Sequence, residues 1–206
     1  MKIITISREF GSGGREIGKR LSDLLGFNYY DKEIITAVAE KSKLCEGYVE
    51  SVLEKGLPRA FTVTFGRTFS FTDSTQENYT KLLLAQQQII KEIAEKGEDF
   101  IIVGRAADVI LDEYKPLNLF IYADKQSKIE RCKKRAPEDE KLTDKELARK
   151  IKQVDLGRAV NRQLLADDGW GEKESYHLCI NTTGMDIKSL TPAVAEFAKS
   201  WFEQNK

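Results

Sequence analysis

The chain opens with Met1-Lys-Ile-Ile-Thr-Ile-Ser-Arg-Glu-Phe-Gly-Ser-Gly-Gly-Arg-Glu-Ile-Gly-Lys-Arg20, and this stretch decides the fold. The apolar run at residues 3–6 predicts a buried strand, and apolar residues at positions 17, 21, 24 and 25 predict a helix. A glycine-rich turn lies between them. Such a turn directs backbone N–H groups and the positive end of a helix toward a phosphate. We therefore expect Gly11, Ser12, Gly13 and Gly14 to bind phosphate.

Further apolar runs predict four more strands, at residues 27–30, 100–103, 117–123 and 176–181. Helical patterns occur at residues 14–25, 77–96, 125–135, 143 to about 165, and 187–202. Near-continuous apolar runs are typical of strands that are buried on both faces. The expected fold class is therefore α/β, with a mostly parallel sheet between two layers of helices.

Length and composition limit the classes of protein that the chain can represent. A chain of 206 residues predicts a single domain over residues 1–206. A formal net charge of zero indicates no nucleic-acid partner and no membrane partner. The three cysteines are far apart, and no apolar run reaches the roughly 18 residues of a membrane span. We expect a cytoplasmic protein without disulfides.

The glycine cluster departs from the phosphate-loop (P-loop) pattern G-x-x-x-x-G-K-[ST]. In that pattern the glycines wrap a phosphate, the lysine neutralises its charge and the hydroxyl binds Mg²⁺. When Gly13 is set on the second glycine, Arg8 takes the first glycine position and Gly14 takes the lysine position. The chain therefore lacks the lysine of the pattern.

Other side chains are candidates for the missing functions. Arg15 and Lys19 lie on the first turns of the predicted helix and can supply the missing positive charge. The hydroxyl of Ser12 can bind the phosphates or a metal ion. Two alternatives stay open: a tight turn without a ligand, and a dinucleotide site, although Glu16 replaces the third glycine of G-x-G-x-x-G.

Several segments beyond the glycine cluster form a recognisable series. They include Tyr29-Tyr-Asp31, Ile102-Val-Gly-Arg-Ala-Ala-Asp108, Asp155 with Arg158, Trp170-Gly171 and Tyr176-His-Leu-Cys-Ile-Asn-Thr182. Together with the opening segment, this series resembles the cytidylate-kinase-like family of P-loop kinases, in the right order over nearly the whole chain.

The resemblance implies a three-layer P-loop NTPase fold, with a five-stranded parallel sheet in the order 2-3-1-4-5 and a helical lid. Residues 32–80 would form a monophosphate-binding insertion, and residues 136–172 the lid segment. The implied reaction transfers the γ-phosphoryl group of ATP to a nucleoside monophosphate such as CMP, with Mg²⁺. The partners are then nucleotide substrates.

The resemblance also implies roles for individual residues. Gly11 to Arg15 match the phosphate loop, and Asp31 matches the aspartate that opens the monophosphate pocket. Arg105 matches an arginine that contacts the acceptor phosphate, and Arg158 and Arg162 match lid arginines. An aspartate is expected directly after Arg105, but this chain has an alanine there.

The nearest acid to that alanine is Asp108, a candidate for acceptor or metal binding. Arg105 directly follows a predicted strand end, where ligands bind in open α/β sheets, so we expect catalytic roles for Arg105, Arg15 and Arg158. Arg131 is a further candidate for the lid. Surface ion pairs are the alternative for these arginines, and a helix cap is the alternative for Asp31.

Residues 57–81 alternate phenylalanines with other residues and include Arg67, a candidate for acceptor binding. This segment would cover an acceptor base or form the contact of a homodimer. Two functions compete for the whole chain: an enzyme of the cytidylate-kinase type, and a nucleotide-binding regulatory module that lost turnover together with the lysine.

Overall fold

A computed structural model describes residues 1–55, 72–137, 142–166 and 169–205. Within these ranges, five parallel strands form one sheet in the order β2-β3-β1-β4-β5. The strands are β1 (Ile3–Arg8), β2 (Asn28–Tyr30), β3 (Phe100–Val103), β4 (Leu117–Tyr122) and β5 (Leu178–Asn181). The predicted α/β class and strand order are confirmed. Arg67 and residues 57–71 of the phenylalanine-rich segment lie outside the described residues.

Eight α-helices flank the sheet in the described ranges. They are α1 (Gly14–Leu25), α2 (Lys32–Ser42), α3 (Glu46–Lys55), α4 (Thr72–Glu95), α5 (Ala107–Ile110), α6 (Lys125–Arg135), α7 (Asp144–Gln163) and α8 (Ile187–Gln204). The prediction gave no bounds for the helix after Asp31, which is α2, and missed α3 and α5, although Ile34/Val38 and Val49/Leu53 show the four-residue spacing of a buried helix face. The prediction also started α4 too late, because its first turns lack apolar periodicity.

Successive side chains of β1 point to opposite faces of the sheet and contribute to a separate part of the core on each face. Ile4 and Ile6 pack with α1 and α8, whereas Ile3 packs with α2, α3 and α4. Every residue of β1 is buried, as expected for the central strand of a three-layer fold. Because the strands are parallel, their carboxyl ends meet at one edge of the sheet. This edge brings together Arg8, Asp31 and the turn after β3.

The helix ends follow the signals in the sequence. Asp124 accepts a hydrogen bond from the Ser127 amide at 2.6 Å and caps α6. Thr143 and Glu146 form a reciprocal capping box at the start of α7. No helix in the described part of the chain is long and apolar enough to cross a membrane.

His177, the single histidine of the chain, has a structural role. Its Nδ1 atom accepts a hydrogen bond from the Asn118 amide at 2.9 Å, and its ring centroid lies 5.1 Å from that of Trp201. Partial burial lowers the pKa of His177 below its ordinary value of 6.5. The folded protein therefore favours the neutral ring.

This pKa shift predicts a pH dependence of stability. Below about pH 6.5 the unfolded chain takes up the proton more readily than the folded chain, so the free energy of unfolding falls as the pH falls. His177→Asn should flatten this slope, because asparagine cannot take up a proton, while its Oδ1 atom takes the place of Nδ1 as acceptor for the Asn118 amide. Urea denaturation of both proteins between pH 5 and pH 8 measures the difference. Parallel curves for the two proteins would contradict the assignment.

Candidate active site

Side chains from other parts of the chain hold the backbone of the glycine loop between β1 and α1 in place. The Phe10 amide donates to Asp155 Oδ1 at 2.6 Å, and the hydroxyl of Thr182 donates to the Ser12 carbonyl at 2.7 Å. Within the loop, the Ser12 hydroxyl donates to the Glu9 carbonyl at 2.9 Å. Ser12 is fully buried, so its hydroxyl fixes the loop instead of facing the adjoining cavity.

The remaining loop amides are available to a ligand. No described residue accepts a hydrogen bond from the amides of Gly11, Gly13, Gly14 or Arg15. Gly11 and Gly13 have φ angles of 80° and 92°, and a Cβ on Gly13 would lie 2.7 Å from a methyl carbon of Ile187. The loop therefore requires glycine and presents the unpaired N–H groups of a helix start.

These amides line a cavity of about 580 Å³, within the size range of small-molecule sites. Its described lining includes two carboxylates, Glu9 and Glu54, and seven basic residues: Arg8, Arg15, Arg131, Lys133, Arg135, Lys150 and Arg158. Although the chain has no net charge, this cavity is strongly basic. It can hold a polyanion.

Four arginines meet at one end of this cavity, and we call them the arginine cage: Arg8, Arg15, Arg105 and Arg158. They come from β1, α1, the turn after β3, and α7. Glu54 of α3 lies among them, with its Oε1 atom 3.7 Å from Nη2 of both Arg15 and Arg105, and 4.0 Å from Nη2 of Arg158. These distances are too long for direct hydrogen bonds.

Asp31 is the second carboxylate of the arginine cage. Its Oδ2 atom lies 2.6 Å from Arg15 Nε, and its Oδ1 atom lies 3.9 Å from Arg8 Nη2. Asp31 precedes α2, yet its side chain makes no capping hydrogen bond. The structure therefore places this carboxylate against the arginines and not in the alternative role of a helix cap.

The charges of the arginine cage do not balance. Four guanidinium groups face Asp31, Glu54 and, beside Arg158, Asp155, whose Oδ1 atom lies 3.6 Å from Arg158 Nη1, so an excess of one positive charge remains. Burial lowers the pKa of Arg8, and Arg158 and Arg105 lower it further. Burial also lowers the pKa of Arg105, although Glu54 and Asp31 oppose this shift. Burial alone would raise the pKa of Glu54, but the attraction of the arginines outweighs it, and the pKa falls. Glu54 is therefore ionised in the folded protein.

Several nitrogens of the arginine cage lack hydrogen-bond partners. Among the described residues, Arg8 Nε and both Nε and Nη2 of Arg105 have none, although these atoms are buried. A buried charged donor without an acceptor is costly. Together with the excess positive charge, this indicates a site for an additional anion.

The turn after β3 holds Arg105 in an uncommon conformation. Gly104, Arg105 and Ala106 have consecutive φ angles of 74°, 64° and 50°. Left-handed backbone at non-glycine residues is strained and is concentrated at functional sites. The Gln86 side chain donates to the Arg105 carbonyl at 3.3 Å and helps to hold the turn.

A second, much smaller cavity lies on the Arg105 side of the arginine cage. Its volume is about 30 Å³, and Arg105 and Gln86 are among its lining residues. Arg8, Glu54 and Arg158 line both this cavity and the larger one. The arginine cage therefore lies at the junction of the two cavities, of which the larger is open and the smaller is nearly filled.

Three other predicted site residues lie outside the arginine cage, although one of them, Arg162, lines the smaller cavity. Asp108 Oδ2 accepts a hydrogen bond from Arg162 Nε at 2.9 Å, and both side chains are buried. Lys19 is largely exposed and pairs with Asp23 at 2.8 Å. Asp108 and Arg162 are therefore brought to each other, and Lys19 faces solvent.

Arg131, predicted for the lid, contacts the base of the glycine loop. Its guanidinium donates to Thr182 Oγ1 at 3.1 Å, to the Met185 carbonyl at 3.3 Å and to the Ser12 carbonyl at 3.5 Å. Arg131 also lines the large cavity. Its position suits support of the loop from α6.

Sequence reasoning missed three residues of this region: Arg8, Glu54 and Lys128. Lys128 Nζ lies 2.9 Å from Glu9 Oε2 and 3.7 Å from Asp155 Oδ2, so its charge is neutralised beside the loop. Arg8 could have been predicted from the sequence, because it occupies the first glycine position of the P-loop pattern. No sequence pattern indicated Glu54, since only the packing of α3 brings it to the arginines.

Solved structures with similar folds define the class of protein. An uncharacterized protein from Eubacterium ventriosum has a TM-score of 0.70 and 25% identity, with 97% of this chain and 99% of that chain covered. Shikimate kinase from Bacteroides thetaiotaomicron has a TM-score of 0.59 and 15% identity, covering 96% and 98%. Shikimate kinase from Acinetobacter baumannii has a TM-score of 0.55 and 14% identity, covering 97% and 94%. The fold is that of P-loop kinases.

The sequence identifies the family within this class. Residues 3–184 match the model of the cytidylate kinase-like family, and the chain belongs to that family. No curated protein sequence matches the chain. Kinases of this family and fold generally use ATP and Mg²⁺.

The protein side chains offer few ligands for a metal ion. The described residues contain no cluster of three or more histidine, cysteine, aspartate or glutamate side chains that could hold one. Mg²⁺ prefers oxygen ligands and is commonly held by substrate phosphates, waters and one or two carboxylates. Asp31 and Glu54 are the carboxylates in the arginine cage, and they fit such a limited role.

Proposed function

We propose that the protein is a kinase that transfers the γ-phosphoryl group of ATP to a nucleoside monophosphate or a related small acceptor. One observation carries this proposal: the unpaired amides of the glycine loop line the larger cavity, and this cavity adjoins the arginine cage, whose buried nitrogens lack partners among the described residues. A nucleotide in the larger cavity would direct its terminal phosphate toward the smaller one.

The chemistry of phosphoryl transfer suits this arrangement. The reaction depends mainly on positioning and on stabilising charge at the transferred group. In our proposal the loop amides hold the nucleotide phosphates, and Arg105 and Arg158 stabilise the transferred group and the acceptor. When bound, Mg²⁺ neutralises phosphate charge and orients the phosphates.

Acceptor binding requires space that the described structure does not provide. A volume of about 30 Å³ holds a water molecule but no phosphate ester. We propose that Glu54 occupies the place of the acceptor's anionic group, and that α3 moves when the acceptor binds. Residues 32–80 would then be the acceptor-binding insertion, and residues 136–172 the lid over the nucleotide.

An ADP-release assay tests the proposed function. The purified protein is given Mg-ATP together with CMP, dCMP, UMP, AMP or GMP, and ADP formation is followed against an acceptor-free reaction. We expect acceptor-dependent ADP release with at least one nucleotide. ATP binding without turnover on any acceptor would support the regulatory module, and absence of ATP binding would refute both functions.

Arg105→Ala is expected to lower kcat/KM about 100-fold in this assay, because the transferred charge loses a preorganised donor. Arg149→Ala is a matched control, since Arg149 is an exposed arginine that lies outside the arginine cage. We expect the control to retain the wild-type kcat/KM. Equal activity of the Arg105 variant and the control would contradict a role for Arg105 in phosphoryl transfer.

A further inference from the structure

Compared with the P-loop pattern, Arg8 and Gly14 have exchanged residue types, since each has the kind of side chain that the pattern requires at the other position. The pattern places a small residue at the first position and a cation at the position after the second glycine. This chain has a cation, Arg8, at the first position and no side chain at Gly14. The positive charge has moved to the other end of the same loop.

The geometry explains why the two positions change together. A Cβ atom built on Gly14 would lie 2.6 Å from the Cβ atom of Arg8 and 2.9 Å from its Cγ atom. Real Cβ atoms essentially never approach other atoms so closely. The stem of Arg8 therefore fills the space through which a lysine at position 14 would leave the backbone.

The guanidinium of Arg8 lies between the two cavities, against Gly104 of the turn after β3. Arg8 lines both cavities and is 5% exposed. Its carboxylate contact is long, 3.9 Å to Asp31, and Asp31 already has Arg15 at 2.6 Å. Neutralisation of Asp31 therefore does not account for burying this arginine, whose Nε atom has no hydrogen-bond partner among the described residues.

We propose that Arg8 supplies the phosphate-binding charge that lysine supplies in the standard pattern, and that Gly14 is the space this exchange requires. The inference rests on the proposed function, because the phosphate is that of the bound nucleotide. Beyond the proposed function, the inference names the residue that compensates for the missing lysine. An arginine suits the task because its planar fork can hold two phosphate oxygens at once.

A charge-exchange experiment tests this inference with the full chain. Arg8→Gly, Gly14→Lys and the double variant Arg8→Gly/Gly14→Lys are compared with the wild type. Calorimetry with Mg-ATP gives the Kd, and thermal unfolding without nucleotide gives the stability. We expect Arg8→Gly to bind ATP at least 30-fold more weakly, and Gly14→Lys to unfold at a lower temperature because of its clash with Arg8.

The double variant decides the outcome. Glycine at position 8 removes the clash and lysine returns the charge, so ATP affinity should recover at least tenfold relative to Arg8→Gly, and the unfolding temperature should rise above that of Gly14→Lys. A double variant that binds as weakly as Arg8→Gly, or that folds no better than Gly14→Lys, overturns the inference. The proposed function still stands in that case if the wild type binds ATP and releases ADP.

Discussion

Gly104→Ala is expected to lower kcat/KM by about 1000-fold, beyond the loss caused by removing one arginine donor. A Cβ atom on Gly104 would lie 1.4 Å from Nη1 of Arg8 and 2.6 Å from its Cζ atom, so the two cannot coexist. The guanidinium of Arg8 must leave its place, and the turn that holds Arg105 takes up the strain of a non-glycine residue at a φ angle of 74°. One methyl group therefore disturbs two arginines of the cage. ADP release measures the loss, and urea denaturation measures the accompanying change in stability.

Gly97→Ala separates this clash from backbone strain. Gly97 has the same φ angle of 74° as Gly104, but nothing lies within 4 Å of a Cβ built there. Left-handed strain alone should lower its free energy of unfolding by about 1–2 kcal/mol without changing kcat/KM. Adding Arg8→Ala to Gly104→Ala should remove the clash and leave only the strain of Gly97→Ala, so stability should recover in part while activity should not recover. A Gly104 variant that behaves like the Gly97 variant would disprove the packing of Arg8 against Gly104.

Asp108→Ala is expected to lower the free energy of unfolding by about 1.5–3 kcal/mol, because the buried Arg162 guanidinium loses a charge-assisted hydrogen bond of 2.9 Å. The exposed fractions of the two side chains are 1% and 5%. Denaturation by urea gives the stability, and the KM for the acceptor gives the functional effect. We expect this KM to change less than twofold, because neither residue belongs to the arginine cage, although Arg162 lines the smaller cavity.

Asp23→Ala is the matched control for this prediction. Asp23 pairs with Lys19 at 2.8 Å, a nearly equal separation, but its side chain is 62% exposed. Its removal should cost less than about 1 kcal/mol, since water solvates the remaining lysine. An unchanged stability of the Asp108 variant with a tenfold higher acceptor KM would instead assign Asp108 to acceptor binding, as its position in the sequence suggested.

Those parts of the candidate site that consist of residues adjacent in the chain could be predicted from the sequence. The glycine loop follows directly from the strand before it and the helix after it, so Gly11, Gly13 and Gly14 were found. Arg105 was found because it follows a strand, and parallel strands end at one edge. Glu54 was not found, because helix packing alone brings α3 to that edge. The pairing of Asp108 with Arg162 likewise joins residues that are distant in the chain.

The sequence by itself determined the fold class, the order of the strands through its family resemblance, and the phosphate-type loop, because apolar periodicity and glycine positions act locally along the chain. Only the tertiary structure decided which charged side chains face one another. Arg8 ends β1 and Asp31 follows β2, two strands that β3 separates in the sheet, whereas Arg158 and Glu54 reach the same point from separate helices. Electrostatic interactions depend on distance in space and on burial, and neither quantity is encoded in the spacing of residues along the chain.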